Sequence, residues 1–327
     1  MGDMRQTMHD DKLIGFDKHR IGLTSAVTAS CLFGLSTIFT KAGVSDVSVL
    51  TLISWRFMIA FTIMTILILI GIFEVDLRNK PLRGLLSIAI FAPAIYFLAE
   101  GTGLQLTTAS EGGTILAMTP IVTLLLSTLI LKEYPTLRQT ASIMVSVFGV
   151  IIIVLSKSMG ANFSILGYLF LFVAIFSDSM CMILTRKYLV YSPTERVYAM
   201  TAIGAILFTP MAIAEHFAAG TLNEYLVLPL HNSGFLIAVL YLGVISSVAG
   251  FTLCAVGIRY IGPNKVTSLS GISTIISVFV GIVFLKESFT ILQGVGTLLI
   301  LFGAYNANKK NDRIEKSNDN PVITQGD

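Results

Sequence analysis

The chain has 327 residues, of which 54% are hydrophobic and only 13% charged, with a mean hydropathy of +0.81 and a formal net charge of +3. So apolar a chain lies outside the range of soluble globular proteins and reads as a membrane protein; its basic residues are scattered instead of forming a stripe, which excludes nucleic acid as a partner. Cys31, Cys181 and Cys254 all fall in apolar runs, which excludes a secreted disulfide framework.

In chain order, residues 1–20 form a polar segment of mixed charge without the form of a cleaved signal peptide. Ten apolar segments follow, at about 21–41, 47–72, 83–103, 109–131, 137–155, 165–188, 195–217, 235–258, 266–285 and 290–307. Their lengths suit helices spanning a bilayer, and continuous apolar runs without alternation point to helices, not barrel strands. Residues 308–327 are polar and read as a disordered tail.

Residues that interrupt the apolar pattern are the candidates for function, because a charge at a helix centre facing lipid costs about 2.5–3.5 kcal/mol. Of 41 charged residues, Arg56, Glu100 and Asp178 lie well inside segments. In the first segment Phe33, and in the second Trp55, are either cavity walls or packing; Arg56 is read as a structural charge. In the third, Tyr96 precedes Glu100 by one helical turn, so the two share a face, and Pro93 below them removes a helical hydrogen bond. A carboxylate beside an aromatic ring suits an ammonium group, with an ion pair to Arg56 as the alternative. Glu111 stands in the first turn of the fourth segment, where the helix dipole favours a negative side chain and Ser110 helps to cap.

Asp178, between Ser177 and Ser179 in the sixth segment, is the deepest charge. It is either a cavity carboxylate that meets a cationic group or exchanges a proton, or a structural acid bonded to the neighbouring hydroxyls. Met182 beside it suits an adaptable wall. Glu215, His216, Glu224 and His231 flank the longest connection, read as a solvated loop. Tyr241 is a further aromatic candidate in the eighth segment. Small residues recur every fourth position there (Ser246, Gly250, Cys254) and in the ninth segment (Ser273, Ser277, Gly281), which permits close helix approach and leaves a homodimer open. No H-E-x-x-H, G-x-S-x-G, phosphate loop or metal-ligand cluster occurs, so neither an enzyme nor a cofactor or metal is expected.

One phrase occurs twice. Residues 131–149 match 285–303 at seven of nineteen positions, including Lys132, Glu133, Thr136 and Gln139. The chain therefore reads as two halves of five segments, 21–155 and 165–307; five being odd, the second half runs through the membrane inverted. With an even number of spans and the N-terminus inside, the inner segments hold 18 of the 22 basic residues and the outer loops hold Lys41, Lys157 and Lys286. Both termini are expected in the cytoplasm.

Trp55-Arg56-Phe57, the run LQLTTASEGG from Leu104, Pro120, the Lys-Glu pair with its following Thr and Gln, and the glycines Gly149 and Gly303 resemble the EamA-like branch of the drug/metabolite transporter superfamily over about residues 20–307. The resemblance implies an all-α polytopic membrane protein of ten transmembrane helices in two inverted five-helix repeats, with a cavity between them that alternates its access. The function expected is that of a secondary transporter or facilitator, in the export direction, for small polar metabolites such as amino acids or amines. A multidrug or choline-like cation transporter and a flippase of a lipid-linked substrate are the alternatives. The substrate-site candidates are Phe33, Trp55, Tyr96, Glu100, Asp178, Met182, Tyr241 and Ser273, with Asp178 and Glu100 also candidates for proton coupling. The partners expected are a small polar solute and the lipid bilayer, in an inner or plasma membrane.

Overall fold

A computed structural model describes residues 2–78, 80–131, 136–158 and 164–308, and all regular structure among them is helical. The principal helices are α1 (Gly2–Asp46), α2 (Val49–Leu69), α3 (Leu82–Leu106), α4 (Ala109–Ile130), α5 (Leu137–Ser156), α6 (Ile165–Lys187), α7 (Pro193–Ala219), α8 (Ser233–Ile261), α9 (Lys265–Val283) and α10 (Ile291–Ala307). Among the described residues nine of these, with Lys18–Asp46 counted for α1, are long and apolar enough to cross a membrane, and α10 is a shorter apolar helix. The ten segments expected from the sequence are these ten helices. The tail from 309 onward and the first Lys-Glu pair, Lys132 and Glu133, lie outside the described residues.

Side-chain caps start several of the helices sharply. Ser48 caps α2 and Ser164 caps α6, while α4 and α7 each begin with a reciprocal capping box, Thr108 with Glu111 and Ser192 with Glu195. Glu111 thus has the terminal position read for it, but Thr108, not Ser110, is the cap, because Thr108 is the last residue with extended backbone. Within the spans, hydroxyls such as Ser30 and Thr62 donate back to carbonyls four residues earlier, at 2.9 and 2.8 Å, and so need no water. Large apolar side chains face outward: Leu129, Phe217 and Phe302 are 75%, 76% and 62% exposed, a surface that suits lipid and not water.

The packing follows a twofold logic. α1 lies on α8 and α9, as α6 lies on α3 and α4; α2 packs on α7, α4 on α9 and α5 on α10. Each pairing has its counterpart when α1–α5 are exchanged with α6–α10, the pattern of two inverted five-helix repeats. Close approach is built from small residues. A Cβ on Gly149 would lie 2.6 Å from the Gly296 carbonyl, so α5 and α10 meet backbone to backbone. The small faces of α8 and α9 are consumed inside the chain: Ser277 donates to the Ala109 carbonyl at 3.1 Å, Ser246 binds Arg56, and Gly250 abuts Phe33.

Four helices are irregular at mid-length, again in matching pairs. α3 breaks at Ala92 (φ −136°, ψ 117°) beside Pro93, and its counterpart α8 loosens into wider turns over Tyr241–Gly250. α4 is interrupted at Ala117–Met118 and α9 at Ser270. The connection after α7 is not the solvated loop expected. Residues Leu222–His231 form a helix with Tyr225 buried, because Glu215 accepts from Ser48 at 2.8 Å and His216 bridges Thr51 and Thr221 at 2.7 Å each, tying α7 to α2.

Candidate functional site

The irregular helices surround a cavity of about 150 Å³. Its wall takes residues 26–37 of α1, Arg56 of α2, 88–100 of α3, Leu116 and Thr119 of α4, 178–185 of α6, 196–200 of α7, 251–258 of α8 and 266–273 of α9. No residue of α5 or α10 contributes. The lining runs from mid-bundle to one end of the molecule, where Gly22 lies against Tyr260 and Ile261, and Tyr191 hydrogen-bonds the Pro81 carbonyl. We call this the near end.

The far end is closed by charge. Lys41 donates to the carbonyls of Leu104, Gln105 and Thr107 at 2.8, 3.3 and 2.5 Å, capping the C-terminus of α3, where a cation is favoured. Glu287, in the second copy of the repeated phrase, accepts from the backbone N–H groups of Ala109 and Ser110 at 2.7 and 2.8 Å and from the Ser110 hydroxyl at 2.5 Å. A carboxylate on the N-terminal amides of α4 is held both by hydrogen bonds and by the helix dipole. It ties the end of α9 to the start of α4 across the two repeats.

Of the residues proposed from sequence, Phe33, Tyr96, Glu100, Asp178, Met182 and Ser273 line the cavity. Trp55 and Tyr241 do not: Trp55 packs on the Tyr225 ring, and Tyr241 stacks on Phe39 at 4.3 Å and donates to the Leu32 carbonyl. In a helix apolar all round, the sequence does not mark which aromatic faces inward.

The charges are arranged as follows. Glu100 is 5% exposed and accepts from the Tyr96 hydroxyl at 3.0 Å. Arg56, read as structural, also lines the cavity; it donates to Ser247 at 2.9 Å and Ser246 at 3.1 Å and lies 4.4 Å above the Phe97 ring. Its hydrogen bonds go to these serines and not to Glu100. Ser177 donates to the Phe91 carbonyl at the break in α3 (2.7 Å), and Ser179 donates toward the Thr119 carbonyl and accepts from Thr123. Neither flanking serine serves Asp178, whose carboxylate makes no hydrogen bond among the described residues. A half-buried acid with no protein partner, facing a cavity beside a second acid, is arranged to receive a cation or a proton from outside the protein.

One charged residue of the wall is not among the sequence candidates. Arg196, at the start of the seventh segment, is 3% exposed and part of the wall. Its signal lay in the phrase Ser-Pro-Thr-Glu-Arg, where a cation directly follows a capping box, at the end of a helix that disfavours positive charge.

Known proteins carry this organisation too. The EamA-like transporter family matches residues 20–155 and again 165–308. The chain is 32% identical over 286 residues to "Uncharacterized transporter YcxC" of Bacillus subtilis, spanning 87% of this chain and 91% of that protein. It is 24% identical to "Probable amino-acid metabolite efflux pump" of Escherichia coli, over 86% of this chain and 92% of that one. A solved crystal structure superposes with a TM-score of 0.59 at 17% identity, covering 91% of this chain and 98% of its own, a likeness that carries the fold alone.

Proposed function

Because the chain belongs to the EamA-like transporter family and is a multi-pass membrane protein, we propose that it exports a small polar metabolite bearing an ammonium group, of the amino-acid or amine type. The observation that carries this reading is Asp178, an acid with no hydrogen-bond partner among the described residues, on the wall of a cavity that Glu100 and Tyr96 also line. The name of the Escherichia coli relative points the same way. A cavity of about 150 Å³ is small beside the roughly 300–1,000 Å³ of drug-sized pockets, which favours a metabolite over a multidrug cargo.

The expected orientation supports the export direction. On the excess of Lys and Arg around the near end, that end and both termini face the cytoplasm. The cavity is then loaded from inside while the Lys41 and Glu287 contacts keep the outside shut. Transport proceeds by exchanging these contacts for closure of the near end, with the two repeats rocking against each other. The protein acts by moving its cargo, with no covalent chemistry.

The test is a thermal-shift screen of purified protein against amino acids, amines, quaternary ammonium compounds and nucleosides, since a ligand of the folded state raises its melting temperature. Stabilisation by an ammonium-bearing class in the wild type, lost in Asp178→Asn together with transport in liposomes, supports the reading. Wild-type transport kinetics in that variant would sink it.

A further inference from the structure

We propose that Arg196 is the anion-binding pole of the cavity, taking a carboxylate of the cargo at the near end while Asp178 holds its ammonium deeper in. The inference rests on the carrier reading above and narrows the cargo to a zwitterion of the amino-acid type.

Arg196 Nη2 donates to the Tyr191 carbonyl at 2.7 Å, whereas Nε and Nη1 are buried and have no hydrogen-bond partner. A guanidinium offers five N–H donors and cannot shed its charge, so burial without partners is unfavourable. The neighbouring acid Glu195 offsets part of its charge but makes no hydrogen bond to it among the described residues. Glu195 is committed elsewhere: both its oxygens accept from Lys80 at 2.7 Å, and it accepts from the backbone N–H groups of Ser192 and Asp76. Arg259 adds a like charge to the surroundings of Arg196. The first turn of α7 is also the end of a helix where a cation is disfavoured. Neither helix stability nor ion pairing explains the residue; a role toward an anionic group of the cargo does.

The cavity supplies the place for that anion. Cys181 of α6 and Met200 of α7 belong to one apolar cluster with Ile88 and Ala92 of α3, which places them at a common level of the bundle. Arg196 lies one turn before Met200 toward the near end, and Asp178 lies one turn beyond Cys181 toward mid-bundle. Cys181, Met182 and Thr185 line the stretch of wall between the two charges. A cargo seated there meets the Arg196 guanidinium at one end and the Asp178 carboxylate at the other, a charge pattern that a zwitterion completes and a simple amine does not.

Binding of the proteinogenic amino acids, each paired with its decarboxylated amine, tests this in the wild type, Arg196→Met, Arg196→Lys and Asp178→Asn. The wild type should bind at least one amino acid about tenfold or more tightly than its amine. Arg196→Met should erase that preference while keeping the amine response, Arg196→Lys should restore part of it, and the melting temperature of ligand-free Arg196→Met should not fall, because an unpaired buried charge has been removed. A preference that survives in Arg196→Met, a wild type without any preference, or a ligand-free melting temperature lowered by several degrees would each overturn the proposal. If instead Asp178→Asn keeps the amine response while Arg196→Met loses the carboxylate preference, the carboxylate reading of Asp178 fails and the role of Arg196 stands.

Discussion

Two buried arginines show how one residue type serves different ends. Arg56 has its fork filled by Ser246 and Ser247 and its face covered by Phe97, so its charge is integrated into the packing of α2 against α8. Arg56→Lys keeps the charge but cannot reach two hydroxyls in the same plane. It should lower stability in detergent by about 1–3 kcal/mol, measured as a shifted denaturation midpoint; an unchanged midpoint would show that the serines are dispensable. Arg196 has the opposite profile, a charge with two empty donors. For the acids, Tyr96→Phe should leave folding intact and weaken cargo binding by several-fold, since the hydroxyl that orients Glu100 is gone. Unaltered affinity would remove Glu100 and Tyr96 from the site.

At the scale of the helix, the closure of the far end depends on one carboxylate bound to the start of α4. Glu287→Gln preserves shape but weakens the charged hydrogen bonds, worth about 1.5–3 kcal/mol, so the balance between the two access states should shift by about 10- to 100-fold toward far-end opening. In a background without Cys31, Cys181 and Cys254, a cysteine at Ser30 should then react more slowly with an impermeant maleimide applied from the near side. Equal reactivity in both backgrounds would mean that the Glu287 contacts do not govern access. The paired irregularities of α3 and α8 and of α4 and α9 fall on the helices that line the cavity, where freed backbone groups face protein and not lipid.

For the whole molecule, ten helices and a doubled architecture were legible in the chain, because lipid demands long apolar runs and the phrase shared by Leu131–Gly149 and Leu285–Gly303 repeats across them. Asp178 and Glu100 stood out because charge in such runs is rare. What stayed hidden has a physical cause: in helices apolar on every side, periodicity does not say which face turns inward. Trp55 and Tyr241 are therefore candidates for a wall they do not line, and Arg196, at a helix end, does not stand out from apolar neighbours as Asp178 does. The grip of Glu287 on α4 depends on contact between residues some 178 positions apart, which no local pattern records. The α5 and α10 pair, joined backbone to backbone at Gly149 and Gly296 and absent from the cavity wall, gives the molecule a fulcrum. Each of the two helices belongs to a different repeat, so the repeats can tilt about this seam as scissor blades turn on a rivet. A disulfide engineered across the seam should therefore leave transport in liposomes near wild-type, while one joining α4 to α9 should arrest it until reduced; arrest by the first would place the axis of motion elsewhere.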